Sequence, residues 1–253
     1  MIKKFFCSEL DRHNLSKHKV NILQEDDAFD YRQMVVNKPW GYEYLMYQND
    51  YVAIWILNLK KNHGTSMHCH PQKKTSLVVL SGKVQGSTLQ EWFELSQLDG
   101  AMYDSGVFHT TKALTDDVFV MEIESPVNKK DLVRLKDNYG RENDGYEGKN
   151  KMSRNLKSFE YVFFDDQAIK KQEKKVIRNL SLSIKNCQSN CLKKEVTNTD
   201  ESKLYCLLEE KIIDEKLKSA FGVGSFFHSN HLVNFDNIRL FNNASLLSLE
   251  IIL

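Results

Sequence analysis

No stretch of about 18 apolar residues occurs in this chain, so a helical membrane span is not expected. The opening segment MIKKFFCSELDR follows two lysines with only three apolar residues, too few for the core of a secretory signal. A charge excess is missing too: 35 basic and 34 acidic residues leave a formal net charge of +1. A nucleic-acid partner, which needs a concentrated basic face, is therefore not expected. The five cysteines form no even, regularly spaced set. Cys187 and Cys191 are four apart with no second pair to complete a zinc site, and Cys7, Cys69 and Cys206 read as isolated thiols. That pattern points to a reducing compartment without disulfides, hence a soluble, cytoplasmic protein with no membrane partner. Gly-rich phosphate loops, nucleophile elbows and HExxH motifs are absent as well.

What the chain has is a 41 % hydrophobic content, enough for a buried core, and a dense succession of short β-like runs. Residues 1–36 are polar and irregular and read as an N-terminal extension that packs on the main body. Lys38-Pro39-Trp40-Gly41 punctuates the chain, because Pro39 fixes φ and extends Lys38. Strand candidates follow at 42–47, 51–59, 65–70, 75–80, 83–89, 91–95, 101–103, 107–109 and 117–123, separated by polar turns and uninterrupted by any long amphipathic helix. This spacing predicts an all-β domain, a sandwich or jelly roll whose closure into a barrel would hide its edges. Residues 143–157 read as a linker. FEYVFF (159–164), VIRNLSLSI (176–184), CLKKEVT (191–197), KLYCLLEEKII, GVGSFFHSNHLVNF and ASLLSLEIIL each carry a strand's worth of apolar residues, predicting a second small β domain over 158–253. KLYCLLEEKIIDEKL also has a helical composition; its β-like neighbours favour strands.

The stretch with chemical content is GTSMHCHPQKKTSLVVLSG, Gly64 to Gly82. Residues two apart on an extended segment face the same side, so His68 and His70 present both imidazoles to one face and Cys69 to the other. Neutral imidazole ligates divalent zinc, iron, nickel and related metals. His109, in the short run after Gly106, is the candidate for a third ligand from a neighbouring strand. Arg134 and Arg141 offer bidentate guanidinium forks for a phosphate or carboxylate. Lys73 and Lys74 lie in the turn before a barrel strand and can reach its mouth. Tyr103 and Trp55 are candidates to line the interior. His228 and His231, three apart in an Asn/Ser-rich segment, read as turn histidines.

These residues carry a resemblance. G-x3-HxH with Thr75 and Gly82 following looks like the first motif of the cupin superfamily, and Gly100 to His109 resembles the second without its usual proline. The resemblance implies a double-stranded β-helix, or jelly-roll, fold and one divalent metal (Zn, Fe, Mn or Ni) held by His68, His70 and His109. The family's glutamate ligand falls on Thr75, a departure that removes one negative charge from the site. Over residues 37–142 the likeness narrows to the cupin-type mannose-6-phosphate isomerases: KPWGYE resembles their opening stretch, LVVLSGKV a following strand, and MEIESP with DLVR and YGR their closing segment. That branch usually carries Gln-x-His-x4-Glu, with an Arg and a His around the Glu; here those places hold His68, Thr75, Lys73 and Ser76. The resemblance implies a sugar-related small-molecule substrate, a homodimer, and a bicupin whose second domain is degenerate; Lys73, Lys74, Tyr103 and Arg134, chosen for their chemistry and position, are the residues expected to bind that substrate. Three functions follow: an isomerase or epimerase on a sugar phosphate or nucleotide-linked sugar, a three-histidine Fe(II) dioxygenase, and a non-catalytic carbohydrate- or metabolite-binding protein.

Overall fold

The computed structural model describes residues 1–18, 29–187, 203–214, 219–228, 238–239 and 244–252. The expected strand at 191–197 and His231 lie outside them. The chain divides into two units, residues 1–48 with 53–163, and residues 49–52 with 164–253.

The first unit holds Ile2–Phe5 (β1), Glu9–Leu15 (α1), Val35–Lys38 (β2), Gly41–Gln48 (β3), Ala53–Leu59 (β4), Met67–Cys69 (β5), Lys74–Ser81 (β6), Val84–Thr88 (β7), Trp92–Leu95 (β8), Gly100–Tyr103 (β9), His109–Ala113 (β10), Val118–Ser125 (β11), Val133–Lys136 (β12) and Met152–Ser153 (β13). One sheet runs β1-β9-β6-β11-β4-β3-β2-β13 and the other β12-β5-β10-β7-β8. Every pairing is antiparallel except that of β1 with β9. Apolar residues of both sheets share one core, with Leu45, Trp55, Leu57, Leu77 and Val79 from the first and Val84, Phe93, Leu95 and Ala113 from the second. This is predominantly β, antiparallel architecture of the jelly-roll kind. Closure into a barrel does not occur: among the described residues no ladder joins the two sheets.

Local sequence explains the layout. VFVMEIES in β11 is buried along nearly its whole length, as a strand flanked on both edges and covered on both faces must be. WFEL in β8, at an edge, alternates exposed and buried. Gly41 opens β3 at φ +150°, and a Cβ there would stand 1.9 Å from the Asn58 carbonyl oxygen, so only glycine fits the β3–β4 approach.

Three segments differ from the sequence expectation. The first fifteen residues build β1 and α1 on the main sheet. Ser8 caps α1 by accepting the Asp11 N–H at 3.1 Å, and Asp11 Oδ1 accepts the Phe108 N–H at 3.0 Å. This helix thus pins the residue before His109. FEYVFF forms no strand; Phe159 and Tyr161 instead set their rings against Tyr42 and Tyr44 at 4.8 and 4.7 Å, so aromatic packing produced the β-like composition. VIRNLSLSI is a hairpin instead of one strand, turning at Arg178, which sits at φ +53°.

The second unit contains Asp166–Lys170 (α2), Lys175–Ile177 (β14), Leu180–Cys187 (β15), Lys203–Leu207 (β16), Ile212–Asp214 (β17), Ser219–Phe221 (β18), Phe226–His228 (β19), Ile238–Arg239 (β20) and Ala244–Ile251 (β21). Its sheets run β14-β15-β21-β16-β19 and β18-β17-β20. KLYCLLEEKII is therefore β rather than helix, split between β16 and the start of β17 with residues 208–211 between them. Tyr205, Leu207, Ile212, Phe227 and Leu246 belong to its core.

Candidate metal centre

The second sheet of the first unit sets the site in register. His68 on β5 lies directly across from His109 on β10 and, on its other side, from Arg134 on β12. His70 follows β5 immediately. The three imidazole centroids stand 4.6 to 5.6 Å apart, and His70 and His109 are buried. The ring nitrogens that face one another lie within 4.8 Å.

Each ring is oriented from behind by a backbone carbonyl. His68 Nδ1 donates to Ser66 O at 2.8 Å, His70 Nδ1 to Asp131 O at 2.6 Å, and His109 Nδ1 to Val107 O at 3.0 Å. A carbonyl can only accept, so all three carry their proton on Nδ1 and their lone pair on Nε2. His70 Nε2 is buried with no hydrogen-bond partner, an orphan acceptor of the kind a metal ion satisfies. Burial pushes all three pKa values down: His68 and His70 well below the ordinary value, with His109 and Lys73 respectively as the next cause, and His109 to about 4. The rings are neutral at pH 7, the form that ligates.

The carboxylates that sequence reasoning missed stand on β11. Glu122 Oε1 lies 3.9 Å from His70 Nε2, and His70, Glu122 and Glu124 form a second group of ligand atoms within 4.8 Å. Glu124 is the direct cross-strand partner of Thr75. The carboxylate absent from β6 is thus offered by the neighbouring strand, while the buried Thr75 Oγ1 makes no hydrogen bond. The signal was in the sequence: Glu-x-Glu inside an apolar strand puts two carboxylates on one face. Burial, then the Glu124 charge, raises the Glu122 pKa to about 7. Burial also pushes Glu124 upward, but Lys129 and Lys73 outweigh it and hold that carboxyl low. These histidine and glutamate clusters can coordinate a divalent metal ion.

Around them lies a cavity of about 60 Å³, lined among others by Trp40, Leu57, Thr65 and Ser66. Its walls are crowded with charge. Lys73 Nζ donates to Glu124 Oε1 at 2.8 Å and to Asn128 O at 3.0 Å. Lys129 stands 3.4 Å from both Glu43 and Glu124 and lies over the Trp55 ring at 3.7 Å. Lys129 and Lys38 hold the Glu43 pKa at about 2 against its burial.

Of the expected substrate-binding residues, Lys73 and Arg134 line this cavity and Lys74 and Tyr103 do not. Lys74 points to solvent and pairs with Asp104 at 2.9 Å, because it begins β6 on the opposite side from Lys73. Tyr103 stacks flat against His109, centroids 4.1 Å apart, and supports that ring from behind. Arg141 lines the cavity, as does Tyr146, from the segment read as a linker. Cys69, between the two histidines, is buried, and burial pushes its thiol pKa up.

No protein-family profile matches this chain, and no curated protein does. Solved structures do match distantly. KdgF from Halomonas sp. is 18 % identical over 36 % of this chain and 83 % of its own, with a TM-score of 0.35. An RmlC-like cupin from Shewanella frigidimarina NCIMB 400 is 15 % identical over 42 % and 95 %, with a TM-score of 0.36. A putative sugar phosphate isomerase from Acidithiobacillus ferrooxidans ATCC 23270 is 15 % identical over 30 % and 51 %, with a TM-score of 0.29. Further matches include a protein with a double-stranded β-helix domain, a cupin domain, a DMSP lyase and an oxalate oxidase. At these scores they carry no argument about what this chain does. Among the described residues no helix is long and apolar enough to cross a membrane.

Proposed function

We propose that the first unit is a metal-dependent cupin-type enzyme that isomerises or epimerises a sugar phosphate or nucleotide-linked sugar. The observation that carries this reading is the common tautomer of His68, His70 and His109. Three buried neutral rings, each held by a backbone carbonyl, offer Nε2 lone pairs to one another's neighbourhood. Without an ion, such a grouping gathers acceptors that have nothing to accept. His68, His70 and His109 would hold the metal, with Glu122 beside them. A divalent ion bound there supplies a Lewis acid that polarises a carbonyl or hydroxyl oxygen.

The chain's own residues supply the rest. Glu122 is the carboxylate placed to take a proton from the carbon next to a polarised carbonyl and return it to the adjacent carbon. In isomerisation a second proton passes from the substrate's hydroxyl oxygen to its former carbonyl oxygen, so the two carbons exchange oxidation level; in epimerisation the carbon proton returns instead to the opposite face of the same carbon, and neither exchange needs an outside oxidant. Lys73, fixed by Glu124, and Arg134 orient the anionic part of the substrate. The buried carboxylates next to His70 weigh against the three-histidine dioxygenase reading.

The test is metal stoichiometry followed by turnover. Chelator-stripped protein, titrated with Zn²⁺, Mn²⁺, Fe²⁺ and Ni²⁺, is expected to take up one ion per chain. The loaded protein is then assayed for interconversion of mannose 6-phosphate and fructose 6-phosphate, and for epimerisation of nucleotide-linked hexoses. Absence of metal uptake removes the enzyme reading altogether. Uptake with oxygen consumption but no sugar conversion replaces it with the dioxygenase.

A further inference from the structure

We propose that Lys38, Arg134 and Arg141 form an anion-binding subsite at the mouth of the histidine cavity, that Glu147 occupies it in the free protein, and that residues 142–148 move aside to admit a carboxylate or phosphate group of a ligand. The proposal deepens the reading above by giving the ligand an anionic group, but the subsite itself needs no metal.

Glu147 sits among three cations. Its carboxylate bonds to Lys38 Nζ and to Arg141 Nη1, the latter at 2.6 Å, and lies 4.0 Å from Arg134 Nη2. Arg134 donates from Nη1 to the backbone carbonyls of Asp144 and Gly145. Its Nε is buried and finds no acceptor at all, so this buried guanidinium is incompletely satisfied by the segment that covers it. The adjacent Tyr146 ring fills the space beside Trp55 and Tyr31, with Lys38 Nζ 4.0 Å and Lys129 Nζ 5.0 Å from its centroid, and its hydroxyl donates to Glu43. A carboxylate and a ring thus occupy the place next to the histidines, as an anionic ligand with a compact body would.

Volume gives an independent reason for the segment to move. The cavity of about 60 Å³ holds waters but not a metabolite, which needs roughly 300 Å³. Directly beyond the segment lies a polar cleft of about 320 Å³, walled by Glu142, Asn143, Asp144 and Gly145 and sharing Leu132 and Arg134 with the cavity. Lifting residues 142–148 joins the two spaces. No strand ladder holds those residues, and apart from Tyr146 and Glu147 they are exposed.

Charge decides what replaces Glu147. With it, Lys38, Lys73, Lys129, Arg134 and Arg141 face Glu43, Glu122, Glu124, Asp137 and Glu147. Withdrawing Glu147 leaves five cations against four carboxylates in a largely buried site, which favours an incoming anion. Asp137 holds Arg141 Nε and Nη2, so a carboxylate or phosphate oxygen takes the place of Glu147 Oε1 on Arg141 Nη1, with the Arg134 guanidinium beside it.

The test is titration of inorganic phosphate, and separately of acetate, into the metal-free full-length protein. Glu147→Gln keeps the shape of the segment but removes the internal competitor, so both probes are expected to bind at least about tenfold tighter than to the wild type, since an internally occupied site weakens apparent affinity by its free fraction. Glu142→Gln, which removes a carboxylate from the same segment outside the triad, is expected to change affinity less than twofold. Glu147→Gln combined with Arg141→Gln is expected to lose the gain. A stronger gain for phosphate marks a phosphate ester as the natural ligand, and a stronger gain for acetate marks a carboxylic acid. Should Glu147→Gln fail to fold, hydrogen exchange of the wild type decides: phosphate is expected to speed exchange over 142–148. Equal phosphate binding by wild type and Glu147→Gln, a gain that survives loss of Arg141, or unchanged exchange overturns the proposal. None of these readouts depends on metal, so the metal-centre reading stands or falls separately.

Discussion

The two units are made of the same material, short antiparallel strands, and bury different things. Among the described residues, the buried polar side chains of the second unit are Ser183 and Ser245. Both find uncharged partners at 2.8 Å, Ser248 and Asn186, and Ser245 also reaches the Glu209 carboxylate at 3.2 Å. The first unit buries Asp11, Lys38, Glu43, His70, Lys73, His109, Glu122, Glu124, Lys129, Asp131, Arg134 and Asp137. A fully buried Leu or Phe contributes about 1.5–3 kcal/mol of stability, whereas a buried ion pair at best roughly offsets its own desolvation. A sheet that needs only to fold is served by the second pattern of burial, the apolar one. Interior charge on this scale marks the first unit as the one shaped by chemistry.

The contrast is broken most directly by stranding a charge. Glu124→Ala leaves Lys73 with only the Asn128 carbonyl and removes one of the two close carboxylates of Lys129. The expected cost is about 3–5 kcal/mol. Ser183→Ala in the second unit is expected to cost only about 1 kcal/mol. All three tryptophans, Trp40, Trp55 and Trp92, lie in the first unit, so their fluorescence in a denaturant titration reads that unit alone. Hydrogen exchange over β15 and β21 reads the other. Equal costs in the two units would end the argument that their interiors serve different ends.

Metal uptake sharpens the comparison next. His70→Ala is expected to weaken divalent-metal binding by about a hundredfold or more, because even loss of an outer hydrogen-bond partner costs about 10–100-fold. His228→Ala, at the end of β19 in the second unit, is expected to leave the titration unchanged. Calorimetry with Zn²⁺ on the two variants checks both, and an effect of similar size from His228 would move the site out of the first unit.

Acid should separate the units by a smaller margin. In the metal-free first unit the three histidines have pKa values below the unfolded value of 6.5, His109 at about 4. The unfolded chain therefore binds protons that the folded chain refuses, and this contribution, full above pH 6.5, is lost as pH falls. Glu122 works the other way. Its pKa of about 7 in the fold, against 4.5 unfolded, adds stability as pH falls through 7. Three protons against one leave about two in excess on the unfolded side near pH 5.5. Stability of the first unit is expected to drop by about 2 kcal/mol between pH 6.5 and 5.5. In the second unit burial raises the Cys206 thiol, which stays uncharged throughout this range. Its melting over the same interval should stay flat, and a parallel drop would show that the histidines are not the cause.

Much of the first unit was legible in its residues because two short-range rules sufficed. Alternation in MHCH put His68 and His70 on one face, and polar turns cut most strands close to their observed ends, although the strand expected at 107–109 instead begins at His109 and runs to Ala113. Pairing across strands was not legible in the same way. Glu122 and Glu124 reach the site because β11 lies beside β6 in a register that sets Glu124 opposite Thr75, and a linear reading cannot supply that neighbour. Tyr146 and Glu147 were hidden for a related reason: a Gly- and Asn-rich stretch reads as connection, and its two inward side chains acquire meaning only from the cations of β2 and β12. FEYVFF failed through composition, since aromatic rings that pack on a neighbouring strand look like a strand themselves.

Lys74 tests that lesson at its finest grain. Two adjacent lysines, Lys73 and Lys74, were equivalent as sequence, and the strand that begins there sends them to opposite sides. Lys73 is 1 % exposed and fixed on Glu124, whereas the Lys74 side chain is 67 % exposed. An exposed ion pair such as that of Lys74 with Asp104 contributes about 0–1 kcal/mol, and water already solvates both partners. Lys74→Ala is therefore expected to shift the unfolding midpoint of the first unit barely at all, and to leave metal and phosphate titrations within twofold of the wild type. Lys73→Ala should disturb all three, because it strips Glu124 of its closest cation inside a buried site. If Lys74→Ala instead weakened phosphate binding tenfold, the anion would be entering over the β6 side of the sheet, and the mouth assigned to residues 142–148 would be the wrong one.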